Sequence, residues 1–407
     1  MKESLASRHA LTFIFITMLV DTIGLGIIIP VIPRLIAGLT NSSVSDASRW
    51  GGWLFFIYAL MQFLCAPIIG NLSDRFGRRP VLILSLVAIA IDYALTGWAP
   101  TIGWLFLARI MSGAAGATYS TVNAYIADVS PPEKRAANFG LTGAAFGVGF
   151  VLGPLMGGVI GEYFGPRMPF FVAAALAICN ALYGYFVLAE SLPKDRRRKF
   201  EIWRSNPLGA LLALKTTPKV LALMMVVVLS RLAHDALPAT WTYYTIEKFH
   251  WSSADIGYSL AAVGILTAFV FGFLTRLVIP RIGEKRSVQL GLLCAAIGYA
   301  GYAFAPQGWV MFAVMPIWAL GGLGDAALNA IMSKGVGETE QGALQGAIAS
   351  ASSLTSIAAP VLMSYLFATF TGAGAPIYFA GAAFLAAALF ELSAAGIFTR
   401  MHIADQK

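Results

Sequence analysis

Charge is scarce in this chain. Only 12% of its 407 residues are Asp, Glu, Lys or Arg, against 58% hydrophobic, where a soluble domain carries roughly a quarter charged residues. That scarcity excludes a soluble globular protein. Apolar stretches of about 20 residues recur along the whole length, as bilayer-crossing helices require. Cysteine is scarcer still: there are three, Cys65, Cys179 and Cys294, all inside apolar segments. They make no disulfide framework and have no metal spacing, so inert thiols and no metal site are expected. No phosphate-binding loop, nucleotide-binding domain or soluble catalytic domain is visible, so the chain is not expected to be an enzyme and needs no cofactor. The net charge of +8 reflects basic residues in loops rather than a nucleic-acid partner. The N-terminus, MKESLASRHA, enters an apolar segment without a small-residue cleavage site, so no cleaved signal peptide is expected.

Twelve apolar segments can be read, over 10–37, 50–71, 80–98, 102–127, 136–161, 168–189, 218–246, 253–279, 286–305, 309–333, 342–370 and 376–400. Their length, and the need to satisfy backbone groups internally in lipid, make them helices. Placing the N-terminus inside puts 22 of the 28 lysines and arginines on the cytoplasmic side. Arg34, Arg49, Arg167 and Lys248 fall outside, and Arg109 and Arg231 fall within helices. This asymmetry predicts cytoplasmic termini in a cell inner membrane. The longest polar stretch, 190–217, carries Lys194-Asp195-Arg196-Arg197-Arg198-Lys199. It divides the chain into bundles at 1–189 and 218–407. It reads as a solvated linker, with contact to anionic lipid headgroups as the other reading.

One polar stretch organises the first half: Gly70-Asn71-Leu72-Ser73-Asp74-Arg75-Phe76-Gly77-Arg78-Arg79-Pro80. It reads as a tight loop between two helices. Gly70 is expected to let the helices approach closely, and Gly77 to permit a turn that a Cβ resists. Arg75, Arg78 and Arg79 concentrate positive charge, and Asp74 can pair with an arginine or cap a helix. The pattern G-x-L-x-D-R-x-G-R-R resembles the loop 2–3 signature of the major facilitator superfamily. Arg75-Phe76-Gly77-Arg78-Arg79 recurs weakly as Arg281-Ile282-Gly283-Glu284-Lys285, and Gly113-Ala114-Ala115-Gly116 as Gly321-Gly322-Leu323-Gly324. Two matching six-helix halves with a site between them are that superfamily's layout. The expected fold is therefore an all-α integral membrane protein of twelve transmembrane helices in two pseudo-symmetric six-helix bundles.

The fifth segment carries Gly149, Gly153, Pro154, Gly157 and Gly158 in the pattern G-x-x-x-G-P-x-x-G-G. Glycines four apart make a flat face for another helix, and the proline bends its own. The pattern resembles the signature of the superfamily's antiporters. In the fourth segment, Leu105, Arg109, Gly113 and Gly116 resemble the motif whose arginine is linked to proton movement. An arginine at bilayer depth needs an interior partner. Asp21 sits near the middle of the first segment and Asp92 near the middle of the third, followed by Tyr93. A carboxyl group kept from water can exchange a proton where a water-exposed aspartate stays charged. A neutralised Asp92–Arg109 pair without a transport role is the other reading.

The resemblance narrows along the chain. Asp21 with its Gly/Pro tail, Gln62-Phe63-Leu64-Cys65-Ala66-Pro67, Asp92-Tyr93, Ala124-Tyr125-Ile126-Ala127-Asp128, Phe249-His250-Trp251 and Gln341-Gly342-Ala343-Leu344-Gln345-Gly346 look like the tetracycline-resistance efflux branch of the drug:proton antiporters. The likeness implies that Asp21 and Asp92 face the substrate and proton path. It also implies a cytoplasmic latch of Asp74, Arg78 and Asp128. The chain departs from that branch at two points: its helix 9 aspartate reads as Ala295, and its helix 8 histidine as Thr267. In exchange the chain has Arg231, His234, Asp235 and Asp325. Arg231 and Asp235, four apart, can neutralise each other, and His234 can be structural. Asp325 lacks a local partner and is the expected relocated proton carrier. Tyr58, Gln62, Tyr119, Asn123, Arg231, His234, Asp235, Trp241 and Trp318 are expected around the substrate, with Asp21. Aromatic faces suit planar rings and cations.

The expected function is export of an amphipathic drug-like or metabolite compound in exchange for protons, with tetracycline protection weak or absent. The alternative is a facilitator or proton symporter for a small polar metabolite. The expected partners are the small-molecule substrate, protons and the lipid bilayer, for a monomer.

Overall fold

The computed structural model describes residues 2–116, 118–198, 218–337 and 341–401. Seventeen α-helices and no strand are found among them. They are α1 (Lys2–Ile28), α2 (Ile32–Thr40), α3 (Val44–Phe76), α4 (Arg78–Trp98), α5 (Ile102–Ala115), α6 (Thr118–Val129), α7 (Pro132–Phe164) and α8 (Met168–Val187) in the first half. The second half has α9 (Pro218–His234), α10 (Ala236–Phe249), α11 (Ser253–Phe269), α12 (Thr275–Ile282), α13 (Glu284–Phe304), α14 (Gly308–Ala319), α15 (Gly322–Lys334), α16 (Gln341–Thr371) and α17 (Ala382–Arg400). Among the described residues, 11 helical stretches are long and apolar enough to cross a membrane, while α5 alone is a shorter apolar helix.

The seventeen helices exceed the twelve expected segments by five, because four segments are interrupted and the eighth is divided into two α-helices by a π-turn. The first breaks between α1 and α2, where Pro30 lacks an N–H and disfavours helical backbone at Ile29. The fourth breaks between α5 and α6, the seventh at Asp235, and the tenth between α14 and α15. Pro238 explains the seventh, since it has no N–H to offer the carbonyl of His234. Segments one, four, seven and ten hold equivalent places in the two halves, so the repeat expected from glycine motifs extends to the helix breaks. The eighth segment stays continuous but passes through a π-turn at Val270–Leu274, a distortion frequent near functional sites.

Two compact units result, and they exchange short pieces across the sequence halves. The first contains Met1–Asn41, Ile57–Pro207 and Ser252–Ala261. The second contains Ser42–Phe56, Leu208–Trp251 and Ala262–Lys407. In the first, α1 packs on α7 and α8, and α4 on α8 and α5. In the second, α13 packs on α17, α15 and α14, while α9 packs on α17 and α16. The exchanged pieces are well fixed. Ser45 Oγ donates to the carbonyl of Ala368 at 3.2 Å within the second unit. The Ser253 N–H donates to Glu162 at 2.9 Å within the first.

The polar stretch 70–80 is not a loop. Helix runs through Phe76 and resumes at Arg78, leaving Gly77 alone between them at φ +107. Gly70 is not a point of close approach either: a Cβ there would meet nothing within 4 Å. Residues 194–196 form a 3₁₀ turn, and the Arg198 N–H donates to the carbonyl of Asp74 at 3.1 Å. Residues 199–217 lie outside the described residues.

Candidate functional site

In the first unit, three helices bring the sequence-predicted charges together. Asp92 of α4 is fully buried. Arg109 of α5 donates from Nη2 to both of its oxygens, at 3.0 and 2.7 Å. One nitrogen thus spans both carboxylate oxygens, and with both groups ionised these are charge-assisted hydrogen bonds, stronger than neutral ones. Asp21 of α1 is 8% exposed, with no hydrogen bond or ion pair among the described residues. Tyr93 packs its phenol against Gly24, one turn from Asp21, so closely that a Cβ on Gly24 would lie 2.7 Å from the phenol oxygen. Gln62 does a structural job: its Nε2 donates to the Gly116 carbonyl left open where α5 ends, at 3.1 Å. Tyr58 packs beside Gly113 and Gly116. Asn123 is exposed, and the side chain of Tyr119 lies outside the described residues.

The glycines of α7 are used as their spacing predicts. A Cβ on Gly149 would lie 2.6 Å from Thr22 Cβ, and one on Gly153 2.7 Å from the Ile23 carbonyl. Gly157 lies against the Ile27 carbonyl, and Pro154 fills the space that a Cβ on Gly26 would need. Backbone therefore meets backbone along α1 and α7, which only glycine permits. Gly158 faces Gly257 in the exchanged piece of α11.

At the far end of α3 the latch residues meet. Arg78 donates to Ser73 and Asp74, and through Nε to Asp128 at 3.3 Å. Arg79 donates to the Tyr185 carbonyl at 2.6 Å, and Arg75 lies over the Phe76 ring. Glu190 was not foreseen here. It accepts from the backbone N–H of Arg78 at 2.8 Å and of Leu192 at 3.0 Å, and so caps α4. As the first residue of an apparently solvated linker, it gave no sequence signal.

The second unit contains a cavity of about 320 Å³. Its lining includes Ser230, Arg231 and His234 from α9, Thr267 from α11, Ala295 and Tyr299 from α13, Trp318, Asp325 from α15, and Glu391 from α17. Ala295 and Thr267, the two departures from the tetracycline-efflux pattern, thus line the same cavity as Asp325. His234 lies face-on to Trp318, with ring centroids 6.3 Å apart. Asp235 accepts from Ser356 Oγ at 3.2 Å. No Arg231–Asp235 ion pair is found among the described residues, so the expected neutralisation by direct contact is not formed. Trp241 is a core residue rather than a cavity residue: fully buried, it meets the rings of Tyr302, Phe384 and Trp251. Glu391 was missed. It is 5% exposed, and the signal was available, for it is the one charged residue of α17 before Arg400.

The arrangement is one of small-residue helix packing around buried carboxyls, a membrane design for moving charge. The profile of the Major Facilitator Superfamily matches residues 14–360. The chain belongs to that superfamily. Within it, the chain is 42% identical over 362 residues to the class C tetracycline resistance protein of Escherichia coli, covering 89% of this chain and 90% of that protein. It is 35% identical over 350 residues to the class B protein of Escherichia coli, covering 86% of each. In structure it resembles a bacterial homologue of the human lysosomal transporter Spinster, with a TM-score of 0.77 at 19% identity over 96% of this chain and 95% of that one. The chain is thus a multi-pass membrane protein of a transporter superfamily.

Proposed function

We propose that this facilitator-superfamily chain exports an amphipathic drug-like or metabolite compound across the cell inner membrane in exchange for protons. The observation that carries the reading is Asp21, a carboxyl group inside a membrane-crossing helix, 8% exposed and without a hydrogen bond or ion pair among the described residues. A group so placed binds and releases a proton at lower cost than it holds a charge. Asp92, Arg109 and Asp325 are the further members of the proton path. Arg231, His234, Asp235 and Trp318 act on the substrate side, and the Asp74–Arg78–Asp128 cluster is the latch. The bundles are 1–189 and 218–407, joined by 190–217, with both termini cytoplasmic and a monomer as the working form. The relatives named for tetracycline resistance support a drug as the cargo class. The replacement of the branch's acid and histidine by Ala295 and Thr267 supports a planar or lipophilic compound other than tetracycline. The alternative, a facilitator or proton symporter for a small polar metabolite, has no observation in its favour.

The driving force is adequate. Each charge moved gains about 2.3 kcal/mol per 100 mV, and each proton about 1.4 kcal/mol per pH unit. The test is transport in proteoliposomes, beside a susceptibility panel in a pump-deficient bacterium. Substrate accumulation should collapse with a protonophore and in Asp21→Asn. Full-rate transport by Asp21→Asn with no proton gradient would sink the reading.

A further inference from the structure

The export reading leaves one buried acid unused, and it stands in the second unit's cavity. Glu391 lies at the middle of α17, between Phe390 and Leu392. Ser230 Oγ donates to its Oε2 at 3.2 Å. Its Oε1 receives no hydrogen bond among the described residues, although the side chain lines the cavity. Facing it are Ser230, Arg231 and His234 from α9, Tyr299 from α13 and Asp325 from α15. No ion pair joins Glu391, Asp325 or Arg231 to an opposite charge among the described residues.

The charges of this cavity do not cancel. Arg231, the permanently charged base of the lining, and the titratable His234 face the carboxyls of Asp325 and Glu391. A buried carboxylate without a counter-charge is unstable in an apolar surrounding, and the imbalance is removed by a proton or by a positive ligand. The walls choose between kinds of ligand. Trp318 and Tyr299 set their rings at a steep angle, with centroids 6.2 Å apart, and aromatic faces attract cations. The volume of about 320 Å³ falls at the small end of drug-sized pockets. An anion would meet two acids around the single arginine.

We propose that this cavity binds a planar organic cation and that the Glu391 carboxylate holds its positive charge. The proposal rests on the export reading, since it names the class of compound carried. Here Ser230 is a positioning residue, because its hydroxyl fixes one carboxylate oxygen and leaves the other toward the cavity.

The test is equilibrium binding of ethidium to the purified full-length protein in detergent, read by fluorescence anisotropy, beside a neutral planar dye of similar size. Glu391→Gln should weaken ethidium binding about tenfold or more, as expected for loss of a charge-assisted contact, and leave the neutral dye unchanged. Glu391→Asp should keep part of the affinity. Unchanged ethidium binding in a folded Glu391→Gln, or equal losses for both dyes, would overturn the proposal and make Glu391 a neutral packing group. Should that variant fail to fold, the wild-type protein decides. A hydrophobic carbodiimide labels buried carboxyls, and ethidium should protect Glu391 from it several-fold by mass spectrometry; absence of protection refutes the site. Binding needs no gradient, so a negative result leaves proton-driven export standing. An inactive transporter that still binds ethidium through Glu391 overturns only the export reading.

Discussion

Asp92→Asn asks whether the buried Asp92–Arg109 contact is scaffold or machinery. The substitution keeps the shape of the side chain and removes its charge. Arg109, with a side chain 17% exposed, then loses its ion pair to the fully buried carboxylate. Removing one member of a buried pair costs about 3–5 kcal/mol. The asparagine oxygen still accepts one hydrogen bond, which recovers about 1 kcal/mol. A net loss of about 2–4 kcal/mol is expected for Asp92→Asn, and a similar loss for Arg109→Gln. The double variant removes both charges and should lose less than the two single losses combined, with a coupling of about 2 kcal/mol. Unfolding in mixed micelles, followed by circular dichroism, measures the cycle. Wild-type stability in Asp92→Asn, or strict additivity in the double variant, would refute the reasoning. Export then separates the roles. A scaffold pair predicts that a double variant which regains stability also regains transport, whereas a proton-moving pair predicts stability without transport.

The same unfolding measurement tests helix packing. Gly157→Ala puts a methyl into the Ile27 carbonyl and should cost about 1–3 kcal/mol, the usual range for overpacking. Gly140→Ala, with nothing within 4 Å, should be neutral or stabilising by about 0.5–1 kcal/mol; equal effects at the two sites would remove the packing account. Gly77→Ala forces a side chain into φ +107 beside the Glu190 carboxylate and should destabilise by roughly 1–3 kcal/mol. Arg78→Ala leaves Asp74 and Asp128 without their shared cation and should slow export more than it lowers stability. Proteoliposome rates set against melting curves check both.

What the sequence reveals depends on how local the physics is. The glycine spacing of α7 and the charge of the latch were legible because each is fixed within one helix turn or one short motif. The pairing of Asp92 with Arg109 was legible as one of two alternatives, because few buried partners exist in an apolar chain. Gly77 was recognised as a turn, yet its neighbours looked like loop when they are helix. Polarity marks exposure, and a membrane helix can extend beyond the bilayer with polar residues. Trp241 went wrong for a general reason: a tryptophan suits a cavity wall and a core equally, and only packing decides. Glu391 lies far along the sequence from Ala295, although both line one cavity. The cavity joins α13 to α17, a contact that sequence order hides.

The two units share a repeat yet hold their buried charges differently. In the first, Arg109 satisfies Asp92 by direct contact, while Asp21 has no hydrogen bond or ion pair among the described residues. In the second, Arg231 forms an ion pair with neither Asp325 nor Glu391 among the described residues, and Trp318 and Tyr299 line the cavity beside them. A charge pair in direct contact separates only at the cost of leaving one member unpaired. An unmatched carboxyl is different, because burial makes its charge costly until a proton or a cation arrives. Proton and cation then satisfy the same group by exclusive means, and each arrival favours the other's departure. On the export reading proposed above, exchange follows from leaving acids unpaired, and Asp21, Asp325 and Glu391 are acids without an ion pair among the described residues.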